Sequence, residues 1–192
     1  TARGGTDGPE QEYAYDKLIL ATGASPAVLP IPGKDLAGVF KMRTPDDAVS
    51  IRSYVEEKNV KKAVVVGAGF IGLEVAENLQ AKGVSVTVID FADQLLPNIV
   101  DYEMALYIKK YLLQEGIRVI TGTRGEEILG EGEVRAIRTS AGTFNCELVV
   151  MAAGIRPNTS FLEGTGIELY KGTIVVDAAL QTNVEDIYAI GD

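Results

Sequence analysis

The stretch AVVVGAGFIGLEVAENLQAKGVSVTVID, running from Ala63 to Asp90, decides the fold. Ala63–Val66 is a continuous apolar run, the pattern of a strand buried on both faces of a parallel sheet. Gly67–Gly72 is a glycine-rich turn. Phe70 to about Ala81 has helical character, and Gly83 stands where a helix is expected to end. Val84–Ile89 is β-branched and strand-like, and Asp90 stops it. Strand, crossover helix and strand make a βαβ unit, hence an α/β fold built on a parallel sheet.

The chemistry sits in the turn. Gly67, Gly69 and Gly72 match G-x-G-x-x-G after a buried strand and at the start of a helix, and an acid, Asp90, ends the next strand. Gly67 permits the tight turn, Gly69 lets the backbone approach a pyrophosphate, and Gly72 lets the helix lie against the sheet. The helix N-terminus offers free N–H groups and about half a positive charge to phosphates. A carboxylate at Asp90 accepts from both ribose hydroxyls, each charge-assisted bond being worth roughly 1.5–3 kcal/mol. It repels a 2′-phosphate by about 4 kcal/mol per unit charge at about 4 Å and an effective dielectric near 20. Phe91, Ala92 and Asp93 follow with no Arg or Lys among them, so NAD(H) is expected over NADP(H). The competing reading is a turn that needs its glycines only for packing.

Outward from this unit, Pro45-Asp46-Asp47 opens an amphipathic helix to about Lys58, with acids in the first turn where the helix dipole favours them. Upstream lies a proline-rich connector with Pro26, Pro30, Pro32 and Pro45, expected to be extended and stiff as a crossing between domains. Before it, residues 1–12 are loop-like, and Lys17–Thr22 is a short buried strand ended by Gly23. Downstream, Asp101 to about Gln114 is helical and Ile117–Ile120 is a third strand. From Glu126 to Phe144 short segments between glycines indicate an antiparallel meander. Leu148–Ala152 is another buried strand. A short hairpin over Thr173–Asp177 and a strand at Ile187–Ile190 complete the chain. Asp16–Pro26 (DKLILATGASP) aligns without gaps to Glu147–Pro157 (ELVVMAAGIRP). Two nucleotide-binding halves produce such an echo, and so does chance.

Composition excludes other chemistry. The 192 residues carry 18 basic and 27 acidic side chains, a net charge of −9, one cysteine and no histidine. Histidine triads, histidine-ligated zinc and a CxxC pair are thereby ruled out. The acidity argues against nucleic-acid or anionic-membrane partners. No run approaches the roughly 20 apolar residues of a membrane span, and no signal peptide opens the chain. Cytoplasmic residence is the expectation. Cys146, at the entrance to a strand with no base or partner beside it, reads as a small buried apolar residue. Tyr102, Tyr107 and Tyr111 read as packing residues. Glu74, one turn into the glycine-loop helix, either faces solvent or stands beside a nicotinamide. No catalytic or metal-ligating residue is assigned. The chain starts inside a polar glycine-rich stretch and stops just after an apolar run, so both ends read as cut from something larger.

Taken in order, YDKLILATGASP, VVVGAGFIGLEVAENL, DQLLP…DYEMA, VVMAAGIRPNTSFL and QTNVEDIYAIGD resemble the FAD-dependent pyridine nucleotide–disulfide oxidoreductases. The likeness is to their coenzyme A-disulfide reductase, NADH oxidase and NADH peroxidase branch. The resemblance implies an NAD(H)-binding domain at residues 43–158, inserted between FAD-domain pieces at 1–42 (with a linker) and 159–192. It implies that Ala21, Thr22, Gly23 and Ala24 form a FAD-contacting turn. Arg43 would stand near the FAD, and Asp192 would hold its ribityl chain. Phe70, Ile71, Glu74 and Gly154 would surround the nicotinamide end of NAD(H). It further implies that the family's own FAD glycine loop and redox cysteine lie upstream, and that a homodimer-forming domain lies downstream. The whole enzyme would pass a hydride from NADH to FAD, and electrons on to a small-molecule disulfide, a peroxide or oxygen. The alternative is an NAD(H)-sensing or electron-transfer module of ferredoxin-reductase-like or apoptosis-inducing-factor-like type.

Overall fold

The computed structural model describes residues 2–3 and 10–192. The chain divides into two compact units, Pro26–Ile155 and Thr1–Ser25 with Arg156–Asp192.

The larger unit holds β1 (Val39–Lys41), α1 (Pro45–Lys58), β2 (Lys62–Val66), α2 (Phe70–Ala81), β3 (Ser85–Ile89), α3 (Tyr102–Gln114) and β4 (Arg118–Ile120). Then come β5 (Gly125–Glu131), β6 (Glu133–Thr139), β7 (Gly142–Asn145) and β8 (Leu148–Met151). Five strands make a parallel sheet in the order β1-β8-β2-β3-β4, and β5-β6-β7 form an antiparallel meander between β4 and β8. This is the expected α/β architecture.

Side-chain alternation explains the layering. Ala63, Val65, Val86, Val88, Leu148 and Val150 point into a core shared with the three helices. Their neighbours Val64, Val66, Ile89, Val149 and Met151 face the other way and pack on Ile128, Val134, Ile137 and Cys146 of the meander region. With a layer on each face, β2 and β8 have no use for polar residues at alternate positions. Helix α1 starts as its sequence dictates: Thr44 caps it, Asp47 completes a capping box, and Pro45 occupies the first turn.

Four readings need correction. The proline-rich connector contains strand β1, an edge of the parallel sheet of the larger unit. Tyr102, Tyr107 and Tyr111 are exposed, Tyr107 by 70%, because α3 packs through Ala105, Ile108 and Leu112 instead. In the smaller unit the hairpin pairs Leu169–Tyr170 with Thr173–Ile174, closing around Lys171 and Gly172, earlier than expected. The smaller unit also pairs Leu18–Leu20 with Ile187–Ala189 in parallel. Ala2–Arg3 pairs with Glu10–Gln11 where a loop was expected, while residues 1 and 4–9 of that stretch lie outside the described residues. Among the described residues no helix is long and apolar enough to cross a membrane.

Candidate functional site

Strand β2 stands between β3, the next strand in sequence, and β8, the last of the sheet, so the strand order reverses at its edge with β8. In open α/β sheets such switch points leave a crevice for ligands. The glycine loop fills this position. The Gly67 N–H donates to the Ile89 carbonyl at 2.8 Å, and Gly67 has φ +115°, a conformation that L side chains rarely adopt. A Cβ there would stand 2.2 Å from the Ala152 carbonyl oxygen at the end of β8. At Gly72 a Cβ would stand 1.9 Å from the Gly67 oxygen, so this glycine sets the close approach of α2 to the loop.

Gly69 differs from both. A Cβ on Gly69 would meet nothing within 4 Å, so the loop there faces open space. Gly69 is also the N-cap of α2, and no side chain caps that helix or places an acid in its first turn. Its leading N–H groups and the positive end of its dipole are left for an anion. Phe70 and Ile71 are exposed on the same turn. The cradle therefore fits a pyrophosphate.

Asp90 lies at the end of β3 and grips this loop. One carboxylate oxygen accepts from the N–H of buried Ala68 at 2.5 Å, and the other accepts from the Ala92 N–H at 2.7 Å. The Ala68 carbonyl in turn accepts from the Leu96 N–H at 3.1 Å. Each carboxylate oxygen has about two acceptor positions, so one on each remains for a ribose hydroxyl. The backbone amides of Ala68 and Ala92 are site elements that residue identities do not reveal.

Glu74 is exposed and accepts from the Asn78 side chain at 3.4 Å. It lines a cavity of about 310 Å³ between α1 and α2, with Met42, Ile51, Val55 and Leu79. Arg43 is exposed, its N–H bonded to Asp47 at 3.0 Å. Gly154 has φ +97° and open space where a Cβ would be, and its carbonyl accepts from the Ala27 N–H at 2.8 Å.

The remaining expected residues belong to the smaller unit. Thr22 and Asp192 line one cavity of about 210 Å³ there, with Leu20, Ile190 and Gly191. Ala21 is exposed, Ala24 is buried, and Gly23 turns the chain with φ +64°. Asn158, which the sequence did not single out, ties this turn together. Its side-chain N–H donates to the Thr22 carbonyl at 3.0 Å, and its backbone N–H donates to that of Gly23 at 2.9 Å. Its side-chain oxygen accepts from the Ser25 hydroxyl at 2.8 Å. Cys146 is buried, and desolvation pushes its thiol up to about 12, where it is an inert packing group.

Known proteins resemble this chain in sequence and in fold. An NADH oxidase from Methanocaldococcus jannaschii is 45% identical, over 97% of this chain and 42% of that protein. The solved NAD-dependent persulfide reductase from A. fulgidus superposes with a TM-score of 0.90 at 40% identity, covering 97% of this chain and 35% of that one. The water-forming NADH oxidase from Lactobacillus brevis, bound to NADH, and its engineered NADPH-oxidase variant, bound to NADPH, each give a TM-score of 0.86 at 28% identity. Each is covered over 97% of this chain and 41% of the other. The chain thus spans less than half the length of these relatives. The pyridine nucleotide-disulphide oxidoreductase family profile matches residues 1–192. The chain belongs to the pyridine nucleotide-disulphide oxidoreductase family.

Proposed function

We propose that the larger unit is the NAD(H)-binding domain of an FAD-dependent oxidoreductase, and that the smaller unit belongs to its FAD-binding domain. The observation that carries this reading is the open cradle at Gly69, with the Asp90 carboxylate fastened to the same loop. When bound, NADH supplies a hydride and FAD accepts it, for transfer on to a disulfide, a peroxide or oxygen. This chain's own residues bind and align. The α2 N-terminus holds the pyrophosphate, Asp90 accepts from the adenosine ribose, and exposed Phe70 and Ile71 shield the site beside the loop. Thr22 and Asp192 offer polar atoms to the flavin cofactor from the smaller unit. Residence in the cytoplasm and dimerisation of the whole protein belong to the same proposal.

The relatives support a preference for NADH. The engineered oxidase bound to NADPH carries alanine in place of a glycine and an aspartate spaced as Gly72 and Asp90 are here. It carries arginine immediately after that aspartate, where this chain has Phe91. Calorimetric titration tests the preference. NADH should bind about tenfold or more tightly than NADPH, since one charge-assisted bond is worth roughly 1.5–3 kcal/mol. Asp90→Ala should weaken NADH and narrow the gap. Equal affinity for both cofactors in the unmodified protein would overturn the assignment.

A further inference from the structure

The sequence places no basic residue just after Asp90, yet the fold brings one there. Arg124 lies between β4 and β5. Backbone bonds set its position: the Thr123 N–H donates to the Asp90 carbonyl at 2.7 Å, and the Gly122 N–H donates to that of Ala92 at 2.8 Å. The Arg124 N–H donates to the Ser140 hydroxyl at 3.0 Å, and its carbonyl accepts from the Ser140 N–H at 2.9 Å. Its guanidinium carbon then sits 5.0 Å from the centroid of the Phe91 ring. Phe91 is 68% exposed and directly follows the proposed ribose-binding carboxylate. Among the described residues the Arg124 guanidinium makes no ion pair, so its five N–H donors remain available to an anion.

We propose that Arg124, carried on the face of Phe91, is a specificity-determining residue that receives an adenosine 2′-phosphate, so that the site takes NADPH as a second, weaker cofactor. The inference rests on the dinucleotide reading above. Stacking on an aromatic face holds a guanidinium in place without using its N–H edge, which stays free for phosphate oxygens. NADH remains preferred because two carboxylates oppose the extra charge. Asp90 is one, and Asp93, whose oxygen lies 3.5 Å from the Cβ position of Gly122, is the other.

The test measures NADH, NADPH, 5′-AMP and 2′,5′-ADP binding by calorimetry to the unmodified chain, Arg124→Ala, Arg124→Lys and Phe91→Ala. Arg124→Ala should weaken NADPH and 2′,5′-ADP about tenfold, as loss of a charge-assisted phosphate contact does, and leave NADH and 5′-AMP within about twofold. Arg124→Lys should keep part of the NADPH affinity, and Phe91→Ala should lose part of it. Added salt should weaken NADPH more than NADH in the unmodified chain but not in Arg124→Ala. Equal losses for NADH and NADPH, or no loss for NADPH, would overturn the role of Arg124 while the dinucleotide reading stood. Failure of NADH itself to bind the unmodified chain would overturn both.

Discussion

The two units solve the same problem with unequal means. Pro26–Ile155 sandwiches a five-stranded parallel sheet between three helices and a meander, and both large clusters of buried apolar residues lie within it. The smaller unit offers two-stranded ribbons and one short 3₁₀ turn, with Leu20, Ala24 and Leu162 as its buried apolar side chains among the described residues. Ile19, in the parallel ribbon, is 60% exposed. An apolar strand is buried along its whole length at Leu148–Met151, whereas Leu18–Leu20 buries Leu20 and leaves Ile19 on the surface. What differs is the number of layers around each, since two strands alone are marginal in water. A ligand site inherits the rigidity of its scaffold, so the glycine loop should bind unaided where the Thr22–Asp192 cavity should not.

The sharpest way to break that contrast is to ask each unit for its cofactor. NADH should bind the 192-residue chain with one-to-one stoichiometry, whereas FAD should not be retained. A cavity of about 210 Å³ is small for such a ligand, drug-sized molecules alone occupying about 300–1,000 Å³. The smaller unit's described residues also hold no glycine-rich turn at the start of an α-helix. The purified chain should be colourless and without NADH oxidase activity even with added FAD. A stoichiometric yellow preparation would end the contrast.

Stability gives the next largest difference. Leu148 is fully buried in the central part of the sheet, and Leu148→Ala should cost about 2–5 kcal/mol through lost burial and the cavity left behind. Ile19→Ala should change stability by no more than about 0.5 kcal/mol, as exposed positions do. Urea unfolding followed by circular dichroism measures both. Equal losses would mean that Ile19 shares a core it does not have in this structure.

The same contrast explains what was legible beforehand. The βαβ unit, the meander and the start of α1 follow local rules: β-branched runs, glycine turns, and Pro45 before two acids. The glycine loop could be recognised because its G-x-G-x-x-G spacing lies in one run between a strand and a helix, although the Ala152 carbonyl that crowds Gly67 comes from far along the chain. Strand β1 could not. Val39–Lys41 is a strand only because Leu148–Met151, far along the chain, lies alongside it. The tyrosines of α3 misled for a related reason, since helical spacing shows that residues share a face and not which face is covered. Arg124 reaches Phe91 through the corner between β4 and β5, and the amides of Ala68 and Ala92 are backbone groups that every residue type carries.

The smallest effect concerns a feature found, among the described residues, in the larger unit alone, a side-chain-capped helix. Asp47 accepts from the backbone N–H groups of Thr44 and Arg43 and from the Thr44 hydroxyl, which hold its carboxyl below the ordinary 3.8. The 3₁₀ turn at Ser160–Leu162 has no side-chain cap. Asp47→Ala should therefore destabilise the larger unit by about 1 kcal/mol at neutral pH, the usual worth of a cap. The sign with pH follows from the lowered value. The folded state holds the charged carboxylate better than the unfolded chain does, so the contribution is fully present above pH 3.8 and is lost as pH falls through the folded value. The gap between the unmodified protein and Asp47→Ala should shrink on acidification below that point, read as the difference in urea midpoints at a series of pH values. A gap that stayed constant down to pH 2 would mean that the ionised Asp47 carboxylate is held no better in the folded state than in the unfolded chain. No gap at any pH would mean that α1 is held by the packing of Ile51 and Val55 without help from its capping box.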